Sequence, residues 1–465
     1  MATSFSHSHC YFLCASLLCL FLFFSLEKEA HALQARKISH QLTHTIEVSN
    51  LFPSTACKHS TKVAENSATL KVVHRRGSCN HLNQDNANSP NVSEILLEDQ
   101  SRVDSIHARI SKTSGNLEET KATRLPAKIG ASLGTSNYIV TIGLGTPKKD
   151  LPVVFDTGSD LTWTRCKPQV DTFDPTKSAS YANISCRSQL CTSTGGGRSI
   201  CSSSTCAYGV QYGDGSYSAG FLGQDKLTLG KKDSYDKFYF GCGQDIEGLF
   251  GKADGLLGLG RDKLSIVSQT ASKYKKLFSY CLPTASSTGY LSFGASQSKS
   301  AKFVPLLTTS SDFYYLSLTG ITVGGQKLSI PTSVFSTAGT IIDSGTVITR
   351  LPPAAYSALR SAFKKKMAKY PVAAPLSILD TCFDFSKTQT ITFPKIVLSF
   401  SGTTDVEVDK TGTFFATGVD QACLAFAANG DAGDKAILGN TQQRTYEVIY
   451  DINGGKIGFS PAGCS

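Results

Sequence analysis

Val153-Val154-Phe155-Asp156-Thr157-Gly158-Ser159-Asp160 is an apolar run that ends in a carboxylate and turns at once on a glycine. The same grammar returns in Thr340-Ile341-Ile342-Asp343-Ser344-Gly345-Thr346. One such tripeptide is an ordinary turn; two, each fed by a buried-strand pattern, put like carboxylates in equivalent positions of two lobes. Two carboxyls held close together in a shielded site cannot both ionise comfortably, so they share a proton. The neutral member can then donate to a carbonyl while the charged member takes a proton from water, which is hydrolysis without a covalent intermediate. Gly158 and Gly345 let the backbone turn tightly, and Ser159 and Thr346 supply hydroxyls that can hold the carboxylate oxygens.

The repeat extends outward. About a hundred residues after each copy stands an apolar-apolar-Gly element, Leu256-Leu257-Gly258 and then Ile437-Leu438-Gly439. Tyr138-Ile139-Val140 with Gly143 and Gly145 precedes the first copy, and Tyr315-Leu316 with Gly320 and Gly324 precedes the second. The chain is internally duplicated.

These motifs resemble a pepsin-type aspartic peptidase of the plant nepenthesin-like group, including its apoplastic and chloroplast-nucleoid members. The residues that carry the resemblance are Phe155 to Thr164, Tyr212-Gly213-Asp214-Gly215-Ser216, Phe240-Gly241-Cys242-Gly243, Phe278-Ser279-Tyr280-Cys281 and Asp343-Ser344-Gly345-Thr346. The match covers residues from about 130 to the end. It implies an all-β, bilobal fold of two pseudo-twofold-related barrel-like lobes with a few short helices, and an extended peptide lying across the cleft between them. Asp156 and Asp343 are then the catalytic dyad, Thr157 and Ser344 the brace between the two loops, Tyr212 and Gly213 the flap, and Trp163 the indole that steadies Tyr212. No metal, nucleotide or organic cofactor is implied.

Composition agrees with such a fold. With 40% hydrophobic and 18% charged residues over 465 positions, the chain can bury sizeable cores. Its 40 glycines and mostly short apolar runs favour strands and turns over a helical bundle. The net charge of +10 is modest, and Lys364-Lys365-Lys366 and Lys273, Lys275 and Lys276 read as solvated faces of amphipathic helices rather than as a nucleic-acid surface. Pro352-Pro353 mark the start of one such helix, whose stripe is Tyr356, Leu359, Phe363 and Met367.

The domain plan follows in order. Cys10 to Leu26 is almost wholly apolar and Ala30-His31-Ala32 has small residues at a cleavage spacing, so residues 1–32 read as a secretory signal, with no lasting membrane anchor. Residues 33–125 read as a propeptide that covers the cleft and inhibits it, with a small basic excess suited to aspartates, no strand rhythm before Leu70, and a helix whose apolar face is Ile95, Val103, Ile106 and Ile110. Residues 126–310 form the first lobe, with a cysteine-rich insert, and residues 311–465 the second.

Ten cysteines in the expected mature chain suit a disulfide-bonded secreted protein. The resemblance implies pairs Cys186–Cys206, Cys191–Cys201, Cys281–Cys464 and Cys382–Cys423. The chain departs from the family after Trp163, where only the first of three usual cysteines, Cys166, is kept. Cys166 and Cys242 have each lost their usual partner, and either pair with one another or stand as two free thiols. Asn91-Val92-Ser93 and Asn183-Ile184-Ser185 permit N-glycans. The expected product is a monomeric, extracellular or apoplastic endopeptidase acting on proteins or peptides, with vacuole and plastid as second choices. Two rivals are a catalytically inactive binding or inhibitor protein and a nucleic-acid-associated plastid protease.

Overall fold

The computed structural model describes residues 42–463 except 53, 55, 60–67, 84–90, 114–137, 167–171, 193–199, 213–214, 231–232, 249, 251, 297, 299, 309–312 and 417–419. The expected signal and the first part of the expected propeptide lie outside the described residues, as do Gly213 and Cys464.

β-Strands dominate, as the glycine-rich, short-run sequence requires, and they gather in two lobes. One 15-stranded sheet wraps the first lobe and continues beneath both, while sheets of five, four and four strands build the second. The continuation is made by strands Leu277–Cys281, Thr288–Phe293 and Lys302–Pro305 together with the C-terminal hairpin Glu447–Asp451 and Lys456–Ser460, which crosses back to join them. A buried aromatic group seals this floor: Phe278 stacks on Tyr450 at 4.4 Å and Tyr314 meets Tyr450 edge-on at 4.7 Å.

The region expected as propeptide is built into both lobes. Strand Thr69–His74 is a central strand of the large sheet, antiparallel to Thr288–Phe293 on one side and to Tyr138–Leu144 on the other. A further strand, Thr43–Glu47, pairs with Thr390–Pro394 of the second lobe. The expectation of no strand before Leu70 is therefore corrected. Thr43–Glu47 has little apolar alternation of its own and is extended because Thr390–Pro394 supplies its hydrogen bonds in a two-stranded ladder.

The helix expected around Leu96–Ile110 runs from Val92 to Thr113. Asn91 starts it with a reciprocal cap: its Oδ1 accepts from the Glu94 N–H at 2.9 Å, and its own N–H donates to Glu94 Oε2 at 3.1 Å. The second expected helix spans Pro353–Lys366, with proline in its first turn and Tyr356, Leu359 and Phe363 buried.

Disulfides join Cys57 to Cys79, Cys166 to Cys242, Cys186 to Cys201, Cys191 to Cys206 and Cys382 to Cys423. Cys281 is also disulfide-bonded. Cys166 and Cys242 thus take each other as partners, whereas the expected Cys186–Cys206 and Cys191–Cys201 pairs are corrected. Cys206 N–H donates to Ile184 O and Cys186 N–H to Ser204 O, which lays Cys186 beside the outer arm of the Ile200–Gln211 hairpin and close to the exposed Cys201. The short helix Gln189–Thr192 instead tucks Cys191 inward, into the apolar cluster that holds Cys206.

Candidate active site

Asp156 ends strand Lys149–Asp156, and Asp343 directly follows strand Thr340–Ile342. Strand Gly255–Gly258 runs parallel to the first, with Gly258 opposite Asp156, and Ala436–Leu438 runs parallel to the second, with Leu438 opposite Ile342. The duplication in sequence is a duplication in space. Both apolar-apolar-Gly elements need their glycine: a Cβ at Gly258 would stand 2.1 Å from the Asp160 carbonyl oxygen, and one at Gly439 would stand 2.9 Å from that of Val347.

The two turns are clasped across the lobe interface. Thr157 N–H donates to Ser344 Oγ at 3.1 Å, and Ser344 N–H donates to Thr157 Oγ1 at 2.9 Å. This reciprocity is what a pseudo-twofold axis between the loops produces. Within each loop the carboxylate is held alike: Gly158 N–H and Ser159 Oγ donate to Asp156 at 3.0 and 2.8 Å, and Gly345 N–H and Thr346 Oγ1 donate to Asp343 at 3.3 and 2.6 Å. Every position singled out in the two motifs makes a contact that fixes the dyad.

Both carboxylates are shielded, at 1% and 0% exposure. Their environments push them apart. Burial drives the Asp156 carboxyl up, but the Arg102 charge, the Gly158 N–H and the Ser159 hydroxyl hold it below the usual carboxylate range. For Asp343, burial prevails with the Asp156 charge, against Arg102, and lifts it above that range. Two like groups with opposed shifts are the arrangement required for one acid and one base.

Arg102 comes from the middle of the helix Val92–Thr113, which lies along the cleft. Its Nη2 donates to Asp156 Oδ1 at 2.7 Å and to Asp343 Oδ1 and Oδ2 at 3.0 and 2.9 Å, while Nε donates to Asp343 Oδ2 at 3.0 Å. Burial opposes its charge, but the two carboxylates hold the guanidinium firmly protonated. Around it the helix packs its apolar face on the cleft, Leu96 against Val347, Ile348 and Leu379, and Val103 and Ile106 against Phe313, Tyr315, Ile341 and Ile437. Asp99 accepts from the N–H groups of Val347 and Ile348 and pairs with Arg350, and Arg109 lies over the Phe313 ring beside Asp160.

Sequence reasoning found the helix and its apolar face but neither Arg102 nor Asp99. The available signal was periodicity: Asp99, Arg102, Val103 and Ile106 share one helical face, and charged residues inside an apolar stripe need buried partners.

At the flap position, hairpin strands Thr205–Gln211 and Tyr217–Leu229 converge on Tyr212, with Gly215 in the left-handed region at φ 82°. Trp163 Nε1 donates to Tyr212 Oη at 2.7 Å, and Phe250 meets both rings edge-on. The structure brings Trp163 and Tyr212 together. Asn183 is exposed on strand Ala182–Asn183, and its Oδ1 accepts from Tyr181 Oη. Among the described residues no three His, Cys, Asp or Glu side chains form a metal-ligand set, and no helix is long and apolar enough to cross a membrane.

Comparison with known proteins matches the chain to two family models, Xylanase inhibitor N-terminal over residues 138–295 and Xylanase inhibitor C-terminal over residues 313–461. An aspartyl protease family protein of Arabidopsis thaliana is 54% identical, covering 91% of this chain and 93% of its own length. The Arabidopsis aspartyl protease AED1 is 48% identical over 91% and 92% of the two chains, and nepenthesin-2 of Nepenthes gracilis is 32% identical over 80% and 86%. Among solved structures, edgp matches with a TM-score of 0.60 at 22% identity, covering 70% of this chain and 91% of that one. The soybean basic 7S globulin matches at 0.57 and 23%, over 70% and 91%. These last likenesses speak to the fold.

Proposed function

Because the chain belongs to the plant family of pepsin-like aspartyl proteases, we propose that it is an aspartic endopeptidase, made as a secreted precursor whose residues 33–125 hold it latent. The observation that carries this reading is the dyad itself: Asp156 and Asp343 keep their full hydrogen-bond sets, and one arginine of the preceding segment spans both. A charged residue paired with both carboxylates occupies the place where water and the scissile carbonyl must come. Once Arg102 leaves, the buried like-charged pair retains one proton between them. The ionised carboxyl takes a proton from water as its oxygen attacks the carbonyl carbon, and the neutral carboxyl donates to the carbonyl oxygen. Collapse of the tetrahedral intermediate then returns a proton to the leaving amine.

Tyr212 closes over the peptide and Trp163 holds its hydroxyl, so the flap reading rests on the same geometry. An inactive binding protein is the second reading, since the family models carry an inhibitor's description. The complete dyad favours catalysis over it. The apolar segment Cys10–Leu26 and the disulfides favour export to the apoplast, with glycans at Asn91 or Asn183.

The deciding experiment is acid proteolysis by the full chain secreted from plant cells, with and without pepstatin. Pepstatin-sensitive cleavage of a protein substrate after acid conversion supports the reading. A secreted, folded chain that never cleaves overturns it in favour of the binding protein.

A further inference from the structure

Arg350 lies on strand Thr349–Leu351 with no exposed surface. Its Nη1 donates to Ile348 O at 2.8 Å, and its Nη2 stands 2.9 Å from Asp99 Oδ2 and 3.4 Å from Gln100 Oε1. The same Asp99 carboxylate accepts from Val347 N–H through Oδ1 at 2.6 Å and from Ile348 N–H through Oδ2 at 3.1 Å. A guanidinium and two converging backbone N–H groups form a complete carboxylate cradle, with apolar surroundings in Leu96, Leu379 and Val347.

Every donor in that cradle belongs to the second lobe, in the stretch immediately after Asp343-Ser344-Gly345-Thr346. Only the acceptors, Asp99 and Gln100, come from the segment proposed to leave. Arg102 follows Asp99 by three residues, a helical rise of about 4.5 Å, so the cradle lies within reach of one or two residues of an extended peptide whose scissile bond sits at the dyad. When the helix departs, a buried guanidinium and two N–H groups lose their anion. Leaving such a charge unpaired is costly, and a peptide that supplies a carboxylate there recovers the lost interaction.

We propose that the open cleft contains a carboxylate-reading subsite made of Arg350 and the Val347 and Ile348 N–H groups, which selects peptides with an acidic residue at one fixed position near the scissile bond. The proposal rests on the endopeptidase reading of the same cleft. Asp99 is then a built-in occupant of a specificity pocket as well as an anchor of the helix.

The test uses the full chain after acid removal of its N-terminal segment, and peptide sets carrying Asp or Glu against Asn or Gln at each position within four of the cleaved bond. At one position kcat/KM is expected to favour the acid by about tenfold or more. In Arg350→Met that ratio is expected to fall to about one, and in Arg350→Lys, which keeps the charge but not the planar fork, to an intermediate value. The ratio is internal to each protein, so reduced yield of a variant does not obscure it. Peptides with free or amidated C-termini separate the two sources of a carboxylate: a preference that follows the chain end supports the cradle and assigns it to a terminus. Equal rates for acid and amide at every position overturn the subsite. Should no peptide be cleaved, the endopeptidase reading fails by itself, and fluorescence anisotropy of the labelled peptides on the same protein still decides: tighter binding of the acidic members supports the cradle, and equal binding refutes it.

Discussion

Arg102 carries the chemistry of the closed cleft at the scale of a single side chain, because one guanidinium satisfies two carboxylates that would otherwise repel each other. Replacing it has a definite consequence: Arg102→Ala removes the counter-charge but leaves Asp99 and the apolar face in place, so the uncleaved chain should turn over small peptides where the wild-type uncleaved chain does not. A fluorogenic peptide assay on intact protein, checked by gel, reads this directly; equal latency in both proteins would mean that the bulk of the helix alone blocks the site. Asp156→Asn and Asp343→Asn should each lower turnover by at least about 10²–10⁴ with little change in melting temperature, since the hydrogen bonds that brace the loops persist while the shared proton is lost. The aspartates, glycines and hydroxyls were legible from sequence because each motif is local and repeated. Arg102 was missed because its partners lie far along the chain, and its one local mark, a place beside Asp99, Val103 and Ile106 on a helical face, does not name them.

Elements show where reading a sequence succeeds and where tertiary context decides. Parallel strands such as Val153–Asp156 with Gly255–Gly258 were legible through repetition, and the helices through their periodic apolar faces. Thr43–Glu47 was not, since its distant partner Thr390–Pro394 lends it order that its own residues do not encode. The cysteine-rich insert was legible as a stapled element, but its pairing follows from which arm of a hairpin each neighbour reaches. At the flap, Trp163 is fully buried and its indole N–H is spent on Tyr212 Oη. Tyr212→Phe keeps the ring packing on Phe250 and removes only that acceptor, which should cost about 1–3 kcal/mol in urea unfolding together with a fall in kcat/KM. Unchanged stability would show that water replaces the hydroxyl and that Trp163 does not hold the flap.

For the molecule as a whole, the N-terminal segment enters three separate places, the central sheet through Thr69–His74, the cleft through Val92–Thr113 and the second lobe through Thr43–Glu47, and all three respond to acid, the last because burial holds His44 below its ordinary value against the pull of Glu407. His74, half-buried against Tyr138, is held far below its ordinary value, to about 3, by burial and by Arg444, Arg76 and Arg75. It is docked neutral. The undocked strand has the ordinary value of 6.5, so docking is fully favourable above that pH and weakens as pH falls from 6.5 toward about 3, by at most ~1.4 kcal/mol per unit. Asp160, facing Arg109, Asp262 and Asp156, is lifted to about 6 by burial, with Arg109 pulling it down. The contact with Arg109 needs the Asp160 carboxyl ionised, so it is made above about 6 and is lost as pH falls through about 6. The Asp156 half of the bridge at the dyad fails last, because Arg102 holds Asp156 ionised to below the usual carboxylate range, whereas Asp343 is lifted above it. Acid opening should therefore proceed in order: hydrogen exchange quickens in Thr69–His74 and at the Arg109 end of the helix between about pH 6 and 5, and activity appears only at lower pH. His74→Gln stays neutral throughout and should move the midpoint of conversion to lower pH by about half a unit to one unit, followed on gels across a pH series. An unshifted midpoint would assign the acid response to the dyad, Asp160 and His44, and activity appearing before exchange quickens would reverse the order of release.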